Sequence, residues 1–198
     1  MKIGILAIQG DFAEHIVMLN HLGVETREVR LPAQLAGLDG LIMPGGESTT
    51  IGKLSVDFGL LEPLRQFGQA HAMWGTCAGA ILLSKDARRE QPLLGIMDIA
   101  VQRNAFGRQV DSFEADLDIE PLKRATCSTA PYHAIFIRAP IIESVNADAR
   151  VLSALPDGRI VAAQQGKLLA TSFHPELTRD TRFHEYFLTL AGGKAFSK

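Results

Sequence analysis

Ala70-His71-Ala72-Met73-Trp74-Gly75-Thr76-Cys77-Ala78-Gly79-Ala80-Ile81-Leu82-Leu83 is the stretch whose reading decides the fold. The apolar run Ala70–Trp74 predicts a strand and Ala78–Leu83 predicts a helix. The junction Gly75-Thr76-Cys77-Ala78-Gly79 has the G-x-nucleophile-x-G form of a strand-to-helix elbow, with cysteine where many hydrolases place serine. A tight elbow forces its central residue into a strained backbone, and flanking side chains would collide with neighbouring strand and helix backbone. Glycine on both sides relieves that collision. The thiolate is the reactive form of cysteine, and a helix starting at Ala78 favours negative charge at its N-terminus. The plainer reading of Cys77, a small buried hydrophobe, stands beside this one.

The same strand and helix grammar extends on both sides of the elbow. Lys2–Ile8 is a nearly continuous apolar run, the pattern of a strand covered on both faces of a parallel sheet. Phe12, Ile16, Leu19 and Leu22 recur at helical spacing behind Asp11, a cap residue, and Gly23 ends the pattern. Val24–Val29 and Gly40–Met43 predict strands, and Thr49–Phe58 and Leu60–Phe67 helical pieces. This alternation implies right-handed crossovers and an α/β fold of three layers, a mostly parallel doubly wound sheet between helices.

The second half changes character. Gly95–Val101, Phe113–Asp118, Ala134–Ile137, Val151–Leu155 and Ile160–Gln165 predict strands joined by turns such as Pro156-Asp157-Gly158, which adds antiparallel strands to the sheet. Leu168–Phe173 predicts one more strand, and Thr181–Leu190 a closing helix before Gly192-Gly193. Lys123–Tyr132, with Pro131 and little periodicity, reads as a surface loop. No repeat or linker divides the chain, so residues 1–198 are expected to form one domain.

Composition narrows the function. The 198 residues are 46% hydrophobic with a net charge of −2, enough for a sizeable core. Interspersed charges offer no basic stripe for nucleic acid. No apolar run reaches the ~20 residues that span a bilayer, and the first strand is too short for a signal peptide, so no membrane partner is expected. Two cysteines, Cys77 and Cys127, make no disulfide framework and fit a reducing cytoplasm, though a bond between them stays open.

A base and a carboxylate follow the last strand. Pro175 keeps His174 extended, and residues two apart in extended chain face the same way. His174 and Glu176 then point together, the carboxylate holding the imidazole tautomer. Leu168–Phe173 delivers both to the sheet edge that carries the elbow, where open α/β sheets bind ligands. The other histidines (His15, His21, His71, His133 and His184) read as structural. A metal set of His174, Glu176 and His184 matches no zinc spacing, so no metal is expected.

Pro44-Gly45-Gly46-Glu47-Ser48 ends the strand Gly40–Met43. Its adjacent glycines let backbone N–H groups point inward, and Gly46 with Ala78 forms a candidate oxyanion hole. An ordinary Gly-Gly turn is the alternative. Arg103 and Arg138 each follow a predicted strand and suit bidentate clamping of a carboxylate, as well as an ordinary solvated role.

Pro44-Gly45-Gly46-Glu47-Ser48-Thr49-Thr50, Gly75-Thr76-Cys77-Ala78-Gly79, Arg103-Asn104-Ala105-Phe106-Gly107-Arg108-Gln109, Phe136-Ile137-Arg138-Ala139-Pro140, Phe173-His174-Pro175-Glu176 and the opening Ile8-Gln9-Gly10 together resemble one family. They are similar to the glutaminase subunits of two-component pyridoxal phosphate synthases, class I glutamine amidotransferases. The resemblance implies that Cys77 attacks the side-chain amide of L-glutamine, that His174 moves the proton, and that Glu176 orients His174. It also implies that Gly46, Glu47, Ser48, Arg103, Ile137 and Arg138 line the glutamine pocket, Ile137 mainly through its backbone. Such subunits pass ammonia to a barrel-shaped synthase that makes pyridoxal 5'-phosphate, which is then product and not cofactor. No cofactor is expected in this chain. We further expect a poor glutaminase in isolation, because the Gly45-Gly46 peptide has two accessible states and reorients when the synthase docks. Two rival readings remain at this point: a glutaminase serving another acceptor, such as an imidazole glycerol phosphate synthase partner, and a non-catalytic scaffold of the same fold.

Overall fold

The computed structural model describes residues 1–103, 112–126 and 128–192. Cys127, Gly193 and the Asn104–Gln109 part of the arginine run lie outside them. In chain order the first half comprises β1 (Lys2–Leu6), α1 (Phe12–His21), β2 (Glu25–Val29), β3 (Gly40–Met43), α2 (Ser48–Asp57), α3 (Leu61–Ala70), β4 (Ala72–Thr76) and α4 (Ala78–Leu83). The second comprises β5 (Ser84–Asp86), β6 (Met97–Gln102), β7 (Ser112–Leu117), α5 (Glu120–Thr126), β8 (Tyr132–Ile137), β9 (Ile141–Val145), β10 (Arg150–Ala154), β11 (Ile160–Gln165), β12 (Leu168–Thr171) and α6 (Arg182–Leu190).

Ten strands form one sheet in the order β2-β1-β3-β4-β12-β11-β9-β6-β5, with β10 paired to β11. The strands from β2 to β12 in that order are mutually parallel. Beyond β12, the β11 and β9 pairings are antiparallel. β7 and β8 make a separate antiparallel pair. The α/β expectation, parallel with antiparallel additions, therefore holds.

Continuous apolar runs form these central strands because both faces are covered. Along β3 and β4, Leu41, Met43 and Met73 join a core with Ile51, Leu64 and Ile81 of α2, α3 and α4. Their neighbours Ile42, Ala72 and Trp74 join a second core with Leu19 of α1 and Phe183 and Phe187 of α6. Each large side chain so buried contributes roughly 1.5–3 kcal/mol. Because β1, β3, β4 and β12 run the same way, the segments that follow them meet at one sheet edge. Those segments carry Gln9 to Asp11, Pro44 to Ser48, Cys77 and His174.

The structure corrects some boundaries. Ala70 closes α3 and is not a strand residue, while β4 runs on through Thr76, since Gly75 pairs with Met43 on one side and Ala170 on the other. Lys123–Tyr132 is not one surface loop. Lys123 lies in α5, and Tyr132 opens β8 with its ring buried against Phe173 and Phe183. β5 and β9 had no counterpart in the expected pattern.

Candidate active site

Cys77 sits at the elbow between β4 and α4 with φ +46 and ψ −103, a conformation that side-chain-bearing residues avoid. Its N–H donates to Thr171 O at 2.8 Å, tying the elbow to the neighbouring strand. The flanking glycines are required by space. A Cβ on Gly75 would lie 2.4 Å from Gly79 backbone, and one on Gly79 would lie 2.0 Å from Met43 O. The first N–H groups of α4 have no intrahelical acceptor, which leaves the Ala78 N–H available beside the thiol.

His174 follows β12, held by its own N–H donating to Ile135 O at 2.9 Å. Its ring packs on Gly45, where a Cβ would meet His174 Cε1 at 2.5 Å. Nδ1 donates to Glu176 Oε1 at 2.8 Å, with the Asp11 carboxylate 3.6 Å away. Burial opposes charge on this imidazole. Hydrogen bonding and charge from Cys77 and Glu176 outweigh it and push His174 up to about 10. Burial also raises Glu176, against the pull of His174. Asp11 is raised as well, chiefly by burial. Asp11 precedes α1 without capping it; its side chain makes no capping hydrogen bond and faces His174 instead.

A cavity of about 470 Å³ opens in front of the thiol. Gly46, Glu47, Ser48, Cys77, Ala78, Arg103, Ile137, Arg138 and His174 all line it. Glu176 does not; it stands behind His174 and is buried. Glu47 caps α2 by accepting from Thr50 N at 2.9 Å and pairs with Arg103 Nη2 at 2.5 Å. Partial burial works against its charge, but Thr49, Thr50 and Arg103 together lower its carboxyl to about 2. Arg138 carries the strained φ of +43 just past β8. Such outliers gather at functional sites.

Residues 5–191 match the SNO glutamine amidotransferase family. The chain belongs to that family. Among the relatives of this SNO-family chain is the "Pyridoxal 5'-phosphate synthase subunit PdxT" of Herpetosiphon aurantiacus, 59% identical over 96% of this chain and 100% of that protein. The protein of the same name from Deinococcus radiodurans is 55% identical over 99% of this chain and 100% of its own. A crystal structure of a glutamine amidotransferase, 49% identical, covers 96% of the chain and 99% of its own length with a TM-score of 0.89.

Gln9 and Gly10, expected only as part of the family-like opening, and Asp11, expected only as a helix cap, also line the cavity. Gln9 Oε1 accepts from Glu47 N at 2.9 Å, and Asp11 N donates to Gly45 O at 3.1 Å, so this loop holds the diglycine turn. Their position directly after a parallel strand was the available signal. Among the described residues, Asp11, His174 and Glu176 group ligand-type atoms within 4.8 Å, without His184. The His174 Nδ1 atom at their centre is engaged with Glu176, which is hydrogen-bond geometry. Among the described residues no helix is long and apolar enough to cross a membrane.

Proposed function

We propose that this chain is the glutaminase subunit of a pyridoxal 5'-phosphate synthase, hydrolysing L-glutamine to L-glutamate and ammonia with Cys77, His174 and Glu176. The observation that carries the reading is the placement of Cys77 and His174 on one cavity with Glu176 hydrogen-bonded behind the imidazole. Residues 1–198 act as one domain, in the reducing cytoplasm that keeps a free thiol nucleophile available.

In this reading the Cys77 sulfur attacks the side-chain amide carbon of glutamine, and the carbonyl oxygen becomes an oxyanion facing the Gly46 and Ala78 N–H groups. His174 gives its proton to the leaving nitrogen, ammonia departs, and a glutamyl thioester remains. Water, deprotonated by His174, attacks the thioester; glutamate leaves and the thiol is restored. Glu176 holds the imidazole with Nδ1 protonated, so that Nε2 serves the sulfur and the leaving group. Arg103 and Arg138 hold the glutamine α-carboxylate, and Glu47 accepts from its α-ammonium group. With its carboxyl lowered to about 2, Glu47 stays ionised throughout the working pH range. Ser48 and the backbone of Ile137 complete the pocket.

Ammonia then passes to the barrel-shaped synthase subunit. The Gly45-Gly46 turn, with φ +151 at Gly46, is the element that docking reorients. The test is glutamate production from glutamine with and without the synthase subunit. A large gain on adding it is expected. No glutamate under either condition overturns the reading, and equal turnover removes the docking step.

A further inference from the structure

The catalytic carboxylate has a second neighbour. Glu176 presents Oε1 to His174, while Oε2 makes no well-aligned hydrogen bond and faces His15 Nε2 at 3.3 Å. His15 comes from α1, and its side chain is fully buried, as is that of Glu176. Its Nε2 also lies 3.3 Å from Thr76 Oγ1, one residue before the nucleophile, and its Nδ1 lies 3.0 Å from His184 Nε2 on α6. Both imidazoles pack edge-on against Trp74. His184 Nδ1 is buried without a partner.

Two proton arrangements fit these distances, since His15 Nε2 can accept from Thr76 Oγ1 or turn an N–H towards Glu176 Oε2. An ionised carboxylate only accepts hydrogen bonds, so beside it the second arrangement is favoured and the hydrogen sits on His15 Nε2. His15 Nδ1 is then an acceptor, and His184 must donate to it from Nε2. That leaves the partnerless His184 Nδ1 as a bare acceptor, which is the less costly atom to leave orphaned. Burial keeps both rings neutral, His184 falling to about 3. The row His184, His15, Glu176, His174 and Cys77 thus spans α6, α1, the segment after β12 and the elbow, and donation converges on Glu176, from His184 through His15 on one side and from His174 on the other.

We infer that His15 is a positioning residue of the glutaminase site: its Nε2–H faces Glu176 Oε2 across 3.3 Å and, backed by His184, keeps the buried carboxylate ionised with Oε1 aimed at His174. Burial alone favours a protonated Glu176 that binds His174 weakly. A neutral donor on its far oxygen opposes that without adding a charge to compete for the imidazole. The inference rests on the glutaminase reading for its effect on turnover, but its geometry does not depend on that reading.

The test compares His15→Leu, which removes the donor, with His15→Gln, whose side-chain amide restores one. In the complex with the synthase subunit, His15→Leu should lower kcat by about tenfold or more, the effect of losing a hydrogen bond to a charged group, with KM for glutamine unchanged. Its pH profile should narrow from both sides. Glu176 would protonate at higher pH, and His174, beside a less anionic carboxylate, would lose its proton at lower pH. The groups facing this pair are Asp11 just before α1, His15 on α1, Cys77 at the elbow, Tyr132 on β8, and His184 through His15. All but His15 are unchanged in the variant. His15→Gln should recover most of the rate and the profile. Imidazole 15N NMR of the unreacted protein gives an activity-independent reading: the His174 titration should move to lower pH in His15→Leu and return in His15→Gln. An unmoved His174 titration in folded His15→Leu overturns the inference. Absent turnover in the unsubstituted complex counts against the glutaminase reading and leaves the NMR result to decide.

Discussion

Cys77 holds a backbone conformation that a residue with a Cβ avoids, and the surroundings that enforce it also aim the sulfur at the cavity. Two residue-scale predictions follow from how His174 and the arginines are placed. Glu176→Gln replaces an acceptor-only partner by an amide that can present its NH2 to Nδ1 and select the wrong tautomer. Turnover should fall roughly a hundredfold or more with little change in KM, measured as glutamate release. Arg138→Ala should instead raise KM for glutamine by roughly 10- to 100-fold, the value of one charge-assisted hydrogen bond, with kcat less affected. A kcat loss without a KM change at Arg138 would remove it from substrate binding. Cys77, His174 and Glu176 were legible because each signal is local: glycines two positions away, or a proline between two side chains. His15 was read as structural because its partners Thr76, Glu176 and His184 are far along the chain and only the fold collects them.

At the scale of elements, the elbow predicts an ordering of glycine substitutions. Gly79→Ala puts a methyl group 2.0 Å from Met43 O, backbone that cannot yield without opening the β3 to β4 contact. Gly158→Ala, with φ +87 in open space, meets only the left-handed backbone penalty of about 1–2 kcal/mol. Thermal melts should show Gly79→Ala far more destabilised; equal losses would contradict the packing described here. The central strands were legible because burial on both faces writes itself as continuous apolar sequence. The peripheral elements were less so. Among the described side chains of α5 the deeply buried one is Leu122, too little to set a period, and β9 alternates only partly between core and solvent. Tyr132 looked like the end of a loop because Phe173 and Phe183, which bury it, arrive much later in the chain.

At the scale of the whole molecule, the buried histidines pull stability in opposite directions with pH. His184, near 3 when folded and 6.5 otherwise, is neutral in the native state while the unfolded chain binds a proton, so its cost grows as pH falls below about 6.5. His15 acts in the same sense. His174, near 10 when folded, holds a proton that the unfolded chain has lost, so its contribution is complete below 6.5 and disappears as pH rises towards 10. The melting temperature should therefore peak near neutrality and fall on both sides, and calorimetry across that range checks it; a flat profile would contradict the protonation states assigned. In the proposed chemistry one thiol, served by one imidazole, releases ammonia from glutamine for a second protein. Its most direct test is glutamate release by Cys77→Ala in the complex with the synthase subunit, beside mass spectrometry of the unsubstituted complex quenched during turnover. The folded variant should lose roughly 10⁴-fold or more in rate, and the quenched complex should carry a glutamyl group on the peptide containing Cys77; glutamate release retained by Cys77→Ala would rule out Cys77 as the nucleophile.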